Sequence, residues 1–236
     1  MWNGKNKAVT FSFDDGVVQD IRFVKLLEKY GLKCTFNINS GTVGTTLSSV
    51  YKGRTIIRDR ILPKDFKSIY QDHEVAVHTM AHPDLTINDK ETIIYQVEQD
   101  RKILSDLCGY EVIGMAYPGG GINHDDRVVD IVKNYTGVKY ARGNGQSLSL
   151  DVPKDLFDFD GTAYVYDKKS MFKCAEEFLS ADANTPKLLY VWGHTYEFDF
   201  DDYITWQDME EFCKLIANQK DVFYGTNKEI LLNKGE

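Results

Sequence analysis

The sequence predicts an α/β fold built around one mainly parallel sheet. Strand-like and helix-like segments alternate along nearly the whole chain, the order produced when parallel strands are joined by helical crossovers. The polar residues that carry chemistry fall directly after predicted strands: Asp14-Asp15, His78, Tyr117-Pro118, Arg142 and His194. Parallel barrels and open doubly wound sheets both place their sites at that end. No GxGxxG follows the first strand, which argues against a dinucleotide-binding sheet. With 236 residues, 42% of them apolar, and no linker, repeat or low-complexity tract, residues 1–236 are expected to form one domain.

The elements follow in order. Residues 8–13 alternate and stop at Asp14-Asp15-Gly16, a strand and a polar turn. Residues 18–30 place Ile21, Val24 and Leu27 at helical spacing, and Gly31 ends the helix. Residues 32–38 read as a second strand. Residues 39–60, rich in Gly, Ser and Thr, read as a long loop. Leu62-Pro63-Lys64-Asp65 opens a short helix to Tyr70. The β-branched run 75–77 is a buried strand ending at His78. Pro83 argues against a helix through His82, so that segment reads as a tight turn or a single helical turn.

Residues 88–107 form a helix with Ile94, Val97, Ile103 and Leu104 near one face, ended by Gly109. Residues 112–117 form a strand leading into Pro118-Gly119-Gly120-Gly121. Residues 125–134 are helical, and 138–141 form a strand ending at Arg142. Residues 143–167 read as irregular and 168–179 as a helix. Residues 187–192 form a strand ending at Gly193-His194. A helix over 206–218, a strand over 222–224 and a short terminal helix complete the chain.

Lys and Arg number 28 against 36 Asp and Glu, a net charge of −8. An acidic chain with no basic block is a poor candidate for nucleic acid or an anionic membrane, whereas neutral sugars are not repelled. Apolar runs of about half a dozen residues fall far short of the roughly 20 that cross a bilayer. No apolar segment follows Met1-Trp2-Asn3-Gly4-Lys5, so a cytoplasmic location is expected, or secretion if a leader has been removed. Cys34, Cys108, Cys174 and Cys213 form no CxxC pair and read as reduced packing residues.

Two imidazoles converging from His78 and His82 suit a divalent transition metal, although two nearby histidines can equally be ordinary polar residues. Asp14-Asp15 reads either as a solvated turn that caps the next helix or as one carboxylate on a metal with its neighbour free as a base. His73 is expected to pack beneath its strand and His124 to open a helix. Tyr117, Trp192, Tyr196 and Trp206 are either core or a sugar-stacking wall.

Ser12-Phe13-Asp14-Asp15-Gly16, His78-Thr79-Met80-Ala81-His82-Pro83, Tyr117-Pro118-Gly119 and the late His194 together resemble the polysaccharide deacetylases, the NodB-homology domains of carbohydrate esterase family 4. The resemblance covers roughly residues 7–225. It implies a NodB-like distorted (β/α) barrel of mainly parallel strands, fewer than eight in number. It also implies that Asp15, His78 and His82 bind one divalent ion, zinc first, with cobalt, nickel or manganese as alternatives. Asp14 becomes the general base, His194 the general acid, and the Gly119 N–H a donor to the oxyanion.

Two positions depart from the family pattern. The arginine of the third motif is replaced by Ala116, and Arg142 either reaches the same spot or is a surface arginine. The family's Asp-Trp segment is missing, and Asp158 or Asp160 is offered to orient His194. The activity implied is metal-dependent removal of acetyl groups from N- or O-acetylated oligo- or polysaccharide. A non-catalytic sugar-binding protein is the alternative that these departures motivate. A mononuclear iron oxygenase is a third reading, less suited to the spare Asp14 and the late histidine. The acetylated sugar and the oligomeric state are not legible in the sequence.

Overall fold

The computed structural model describes residues 1–51, 53–182, 184–200 and 203–232. Its elements in chain order are β1 (Lys7–Asp14), α1 (Asp20–Lys29), β2 (Cys34–Ile38), β3 (Thr46–Tyr51), β4 (Arg54–Asp59), α2 (Pro63–Tyr70), β5 (Glu74–Val77), α3 (Lys90–Cys108) and β6 (Gly114–Ala116). Then come α4 (Asp126–Tyr135), β7 (Tyr140–Gln146), β8 (Phe159–Gly161), β9 (Ala163–Tyr164), α5 (Lys168–Ser180), β10 (Lys187–Gly193), α6 (Trp206–Ile216), β11 (Val222–Tyr224) and α7 (Asn227–Leu231). Among the described residues nine strands form one parallel sheet in the order β8-β7-β6-β5-β2-β1-β10-β9, with β11 beside the start of β1.

The sheet curls so that β1 is buried along its whole length. Successive side chains point to opposite faces. Phe11 and Phe13 turn outward beneath the helices, with ring centroids 6.1 and 4.3 Å from Phe23 of α1. Thr10, Ser12 and Asp14 turn inward. The register carries Ser12 to Thr35 and Thr35 to Glu74, so one inward level is polar on three adjacent strands. Those groups bond one another: Thr35 Oγ1 donates to Glu74 (2.8 Å), and so does Tyr140 OH (2.8 Å). Short helix α7 plugs the opposite end with Asn227, Ile230 and Leu231, all buried.

The α/β class and the near-barrel shape agree with expectation. The strand number does not: nine strands replace the fewer than eight expected, because β8, β9 and β11 are pairings of only two or three residues. The hydrogen-bonded order does not close into a ring. Its edge strands β8 and β9 are consecutive pieces of chain, separated only by Thr162, so one run pairs first with β7 and then with β10. That run lies in the segment read as irregular, where strands this short leave no readable alternation.

The loop expected over residues 39–60 is also corrected. It contains the antiparallel hairpin β3–β4, in which Thr46 faces Asp59 and Tyr51 faces Arg54. Thr46, Ser48, Ser49 and Thr55 broke up the strand pattern, and Lys52 lies outside the described residues. In α3 the buried face is Ile93, Val97, Asp100 and Leu104, while Ile103 is exposed. A carboxylate on the buried side shifted the apparent apolar stripe. All four cysteines are free, and no helix among the described residues is long and apolar enough to cross a membrane.

Asp20 is fully buried beneath the site, with Thr195 Oγ1 (2.6 Å) and Tyr70 OH (2.7 Å) donating to its two oxygens. Burial pushes its carboxyl up to about 7. A raised folded pKa means that Asp20's contribution is complete below its unfolded value near 4 and is lost as pH rises through about 7. Asp20→Asn is therefore expected to gain on wild type by up to a few kcal/mol, roughly 1.4 per pH unit, between pH 4 and 7. Thermal unfolding of both proteins across that range measures the gap, which should widen toward neutral pH.

Candidate active site

The inward positions at the C-terminal ends of β1, β5, β7 and β10 converge on one cleft of about 520 Å³. Asp14 ends β1. Its carboxylate accepts from Arg142 Nη2 at 2.6 and 2.8 Å and from Asn37 Nδ2 at 2.7 Å. Burial works against its charge, but Arg142 and the nearby histidines hold its pKa below the usual value. Arg142 is fully buried, not at the surface. Its Nε donates to Ser12 Oγ (3.3 Å), and its guanidinium carbon lies 4.5 Å from the Trp192 ring centroid. Ala116 on β6 is the register partner of Arg142 on β7. The arginine is thus displaced by one strand at the same level, and the small Ala116 side chain stands where the family pattern has its arginine.

Asp15, His78 and His82 come together, with one ligand atom from each lying within 4.8 Å of the others. The backbone there is strained. Asp15 (φ 87°), Thr79 (φ 65°) and His82 (φ 56°) all adopt left-handed conformations without being glycine. Such residues persist only where surrounding bonds enforce them. Asp15 N–H donates to Asn37 O (2.8 Å), and Arg60 donates to the Asp15 carbonyl. Asp100 accepts the N–H groups of Ser40 (2.6 Å) and His78 (3.0 Å), and Asn39 Nδ2 donates to the His78 and Thr79 carbonyls.

This donor set fits a divalent metal. His78 Nδ1 bonds the Ala116 carbonyl at 2.9 Å, which assigns its proton and leaves Nε2 with a lone pair. Burial pulls the His78 imidazole down to about 4, so it is neutral at physiological pH. Asp15 is held ionised against the effect of burial chiefly by the charges of His194 and Arg60. A carboxylate and two imidazoles are the ligand types zinc prefers.

His194 follows β10. Burial lowers its pKa, but the Glu197 carboxylate outweighs that and, with Asp15 and Asp14, lifts it to about 9. Glu197 Oε1 is 3.3 Å from His194 Nδ1, and its Oε2 accepts the His194 backbone N–H at 3.2 Å. Tyr164 OH donates to the same carboxylate. The expectation for Asp158 and Asp160 is corrected: Asp158 bonds His124 (3.1 Å), and Asp160 accepts Gly145 N–H (2.8 Å). Sequence reasoning missed Glu197, although its spacing of three from His194 at a helix start is a capping-box signature.

Gly119 has φ 97°, and its N–H donates to His82 Nε2 at 3.3 Å, so it faces the cleft. Asn144 Nδ2 donates to the carbonyls of Gly119 (2.7 Å) and Gly121 (3.0 Å), clamping this loop. Asn144 was not anticipated from the sequence. Tyr117, Trp192 and Tyr196 line the cleft, joined by Tyr164, which stacks on Trp192 at 4.2 Å. Trp206 does not reach it and packs on Phe198 and Arg22. His73 is buried, its Nδ1 accepting Cys34 N–H (3.2 Å), and His124 stacks on Tyr117 just before α4.

A parallel β/α fold with an Asp/His/His cluster beside a buried Asp–Arg pair and a histidine–carboxylate pair has the elements required for acyl-bond hydrolysis. The polysaccharide deacetylase family model matches residues 3–141, and the chain belongs to that family. The peptidoglycan-N-acetylglucosamine deacetylase PgdA of Listeria monocytogenes is 25% identical over 120 residues, 50% of this chain and 22% of that protein's length.

Among solved structures, the Xyl-CE4 domain of a multidomain xylanase from the hindgut metagenome of Trinervitermes trinervoides aligns with a TM-score of 0.61. It is 16% identical, over 98% of this chain and 92% of that one. A CE4 family pseudoenzyme from Bacillus anthracis aligns at 0.57 and 15% identity, over 96% and 66% of the two chains. At these identities the likeness is one of fold.

Proposed function

We propose that this protein is a metal-dependent hydrolase that removes acetyl groups from N- or O-acetylated oligo- or polysaccharide. The observation that carries the reading is the meeting of Asp14, the Asp15/His78/His82 cluster and His194 in one cleft. A divalent ion on that cluster, zinc before cobalt, nickel or manganese, would supply Lewis acidity toward an acetyl carbonyl and bound water. Asp14, kept ionised and oriented by Arg142, takes the proton from the attacking water. The Gly119 N–H donates to the oxygen on which negative charge develops, a contact typically worth about 10²–10³ in rate. His194, protonated at neutral pH, delivers a proton to the departing amine or alkoxide.

Acetate release from acetylated glucosamine oligomers and from acetylated xylan tests this reading. Stripping divalent ions with a chelator is expected to abolish release, and adding zinc or cobalt back should restore it. Undiminished turnover by protein shown to be metal-free would overturn it. The second reading, a non-catalytic sugar-binding protein, draws on Ala116 at the arginine position. It would be favoured by tight oligosaccharide binding without turnover under any metal.

Glu197→Gln separates an orienting role from a structural one. The variant is expected to lose about 10²-fold on an N-acetyl sugar, whose amine needs a proton, toward the lower end of what a general acid supplies. On an activated aryl acetate, whose leaving group needs none, the loss should be small. Equal losses on both substrates would assign Glu197 to folding alone.

A further inference from the structure

Arg142 meets Asp14 across the inside of the curled sheet. In the strand order β7 and β1 are separated by β6, β5 and β2, so the side chain must span the interior to reach its partner. A long side chain in that position needs holding along its length. Strand β10 does this from two inward positions, one side-chain repeat apart. Trp192 lays its ring 4.5 Å from the guanidinium carbon. Tyr190 brings its hydroxyl to the guanidinium and to Ser12. A guanidinium carries donors only, so the Tyr190 oxygen accepts in that contact.

Tyr190 is buried and is itself fixed from the far end of the sheet. Asn227 Nδ2 of α7 donates to its hydroxyl at 2.6 Å. Asn227 Oδ1 accepts from Thr10, the register partner of Tyr190, at 2.8 Å. The Tyr190 ring stands edge-on to Phe159, with centroids 5.7 Å apart. At the other end, the setting of Arg142 decides which oxygen of Asp14 is open. Oδ1 accepts from Arg142 Nη2 (2.6 Å) and Asn37 Nδ2 (2.7 Å). Among the described residues Oδ2 accepts only from Arg142 Nη2 (2.8 Å), which leaves it the freer of the two to take a proton.

We propose that Tyr190 is a positioning residue for the reaction: its hydroxyl fixes the Arg142 guanidinium, and through it the Asp14 oxygen that receives the proton from water. The proposal rests on the deacetylase reading above and deepens it at the same site. The family-model match ends at residue 141, so Arg142 and Tyr190 both lie beyond the pattern it covers. Losing the hydroxyl would leave the ring in place but free the guanidinium to turn, and small misplacements of a reacting group are costly in rate.

Tyr190→Phe is compared with Tyr140→Phe. Both changes remove one buried phenol hydroxyl from the same interior and keep the ring. Tyr140 OH serves Glu74 instead (2.8 Å). Acetate release and melting temperature are measured on zinc-loaded protein, with hydrogen exchange at Arg142 Nε–H followed by NMR. Both variants are expected to melt below wild type by similar amounts. Tyr190→Phe alone should lose about 10- to 100-fold in kcat, with KM within about twofold of wild type. It alone should also exchange the Arg142 Nε–H, which donates to Ser12 Oγ at 3.3 Å, roughly tenfold faster or more. Unchanged kcat in Tyr190→Phe, an equal loss in Tyr140→Phe, or unchanged exchange at Arg142 would overturn the proposal. If wild type releases no acetate under any metal, the deacetylase reading fails. The exchange rates then still decide whether Tyr190 fixes Arg142.

Discussion

Asp14→Asn is expected to lower kcat for acetate release by about 10²–10⁴, the range for losing a positioned general base. The amide keeps the shape of the carboxylate and can still accept from Arg142, but it cannot take a proton. Metal content should be unchanged, because Asp14 is not one of the three clustered ligand residues. KM should move little, since the lost interaction belongs to the reacting state. Some stability is also expected to be lost, because Arg142 is fully buried and keeps its charge. The comparison is therefore made well below the unfolding midpoint, with metal measured on the same samples. A variant within tenfold of wild type would remove Asp14 from the chemistry.

Arg142→Ala is expected to be the most destabilising of these changes, by about 3–5 kcal/mol, because it strands the Asp14 carboxylate without its counter-charge. The pH dependence has a definite sign. In wild type Arg142 depresses the Asp14 pKa, so the pair's stabilisation is present above the unfolded value near 4 and is lost as pH falls through the folded value. Without Arg142 the effect of burial is opposed only by the histidines, and that pKa rises. The gap between the proteins should then be widest at neutral pH and narrow in acid, where a protonated Asp14 no longer needs a partner. Because Ala116 and Arg142 are register partners, Arg142→Ala combined with Ala116→Arg is expected to recover part of the activity. Denaturant unfolding at pH 4 and 7 decides the first point and acetate release the second. A gap that does not vary with pH would rule out the ion pair as its source.

The fold class was legible because alternation of strand and helix is a property of the backbone repeat, and most elements here are long enough to show it. The three-residue β8 and two-residue β9 are not, since two or three residues hold no periodicity. Hairpin β3–β4 was hidden for a different reason: its apolar residues Leu47, Val50 and Ile57 are exposed, so it has no buried apolar face to set a pattern. The cluster of Asp15, His78 and His82 was readable because two of its members share one turn and the third closes a strand.

Arg142 was only half readable. Its position after a strand was visible, but its pairing with Asp14 depends on which strands are neighbours, and that is decided by the curl of the sheet. Glu197 and Asn144 act through bonds to a histidine and to glycine carbonyls within the folded site. Asn144 has no motif of its own, and the capping-box spacing of Glu197 says nothing about a catalytic partner.

Strand β1 is made long before it can be completed. Lys7 of β1 pairs with Lys187 of β10 and with Val222 of β11, partners that lie 180 and 215 residues further along the chain. At roughly 5–20 residues per second on a ribosome, Phe11 and Phe13 wait about ten seconds or longer for β10. Such distant pairings make folding slow. During that wait an apolar strand with unpaired edges is open to other chains, so a chaperone has most to offer this protein before residue 187 emerges. A fragment ending short of β10 should remain without a cooperative unfolding transition, however much of the metal cluster it contains.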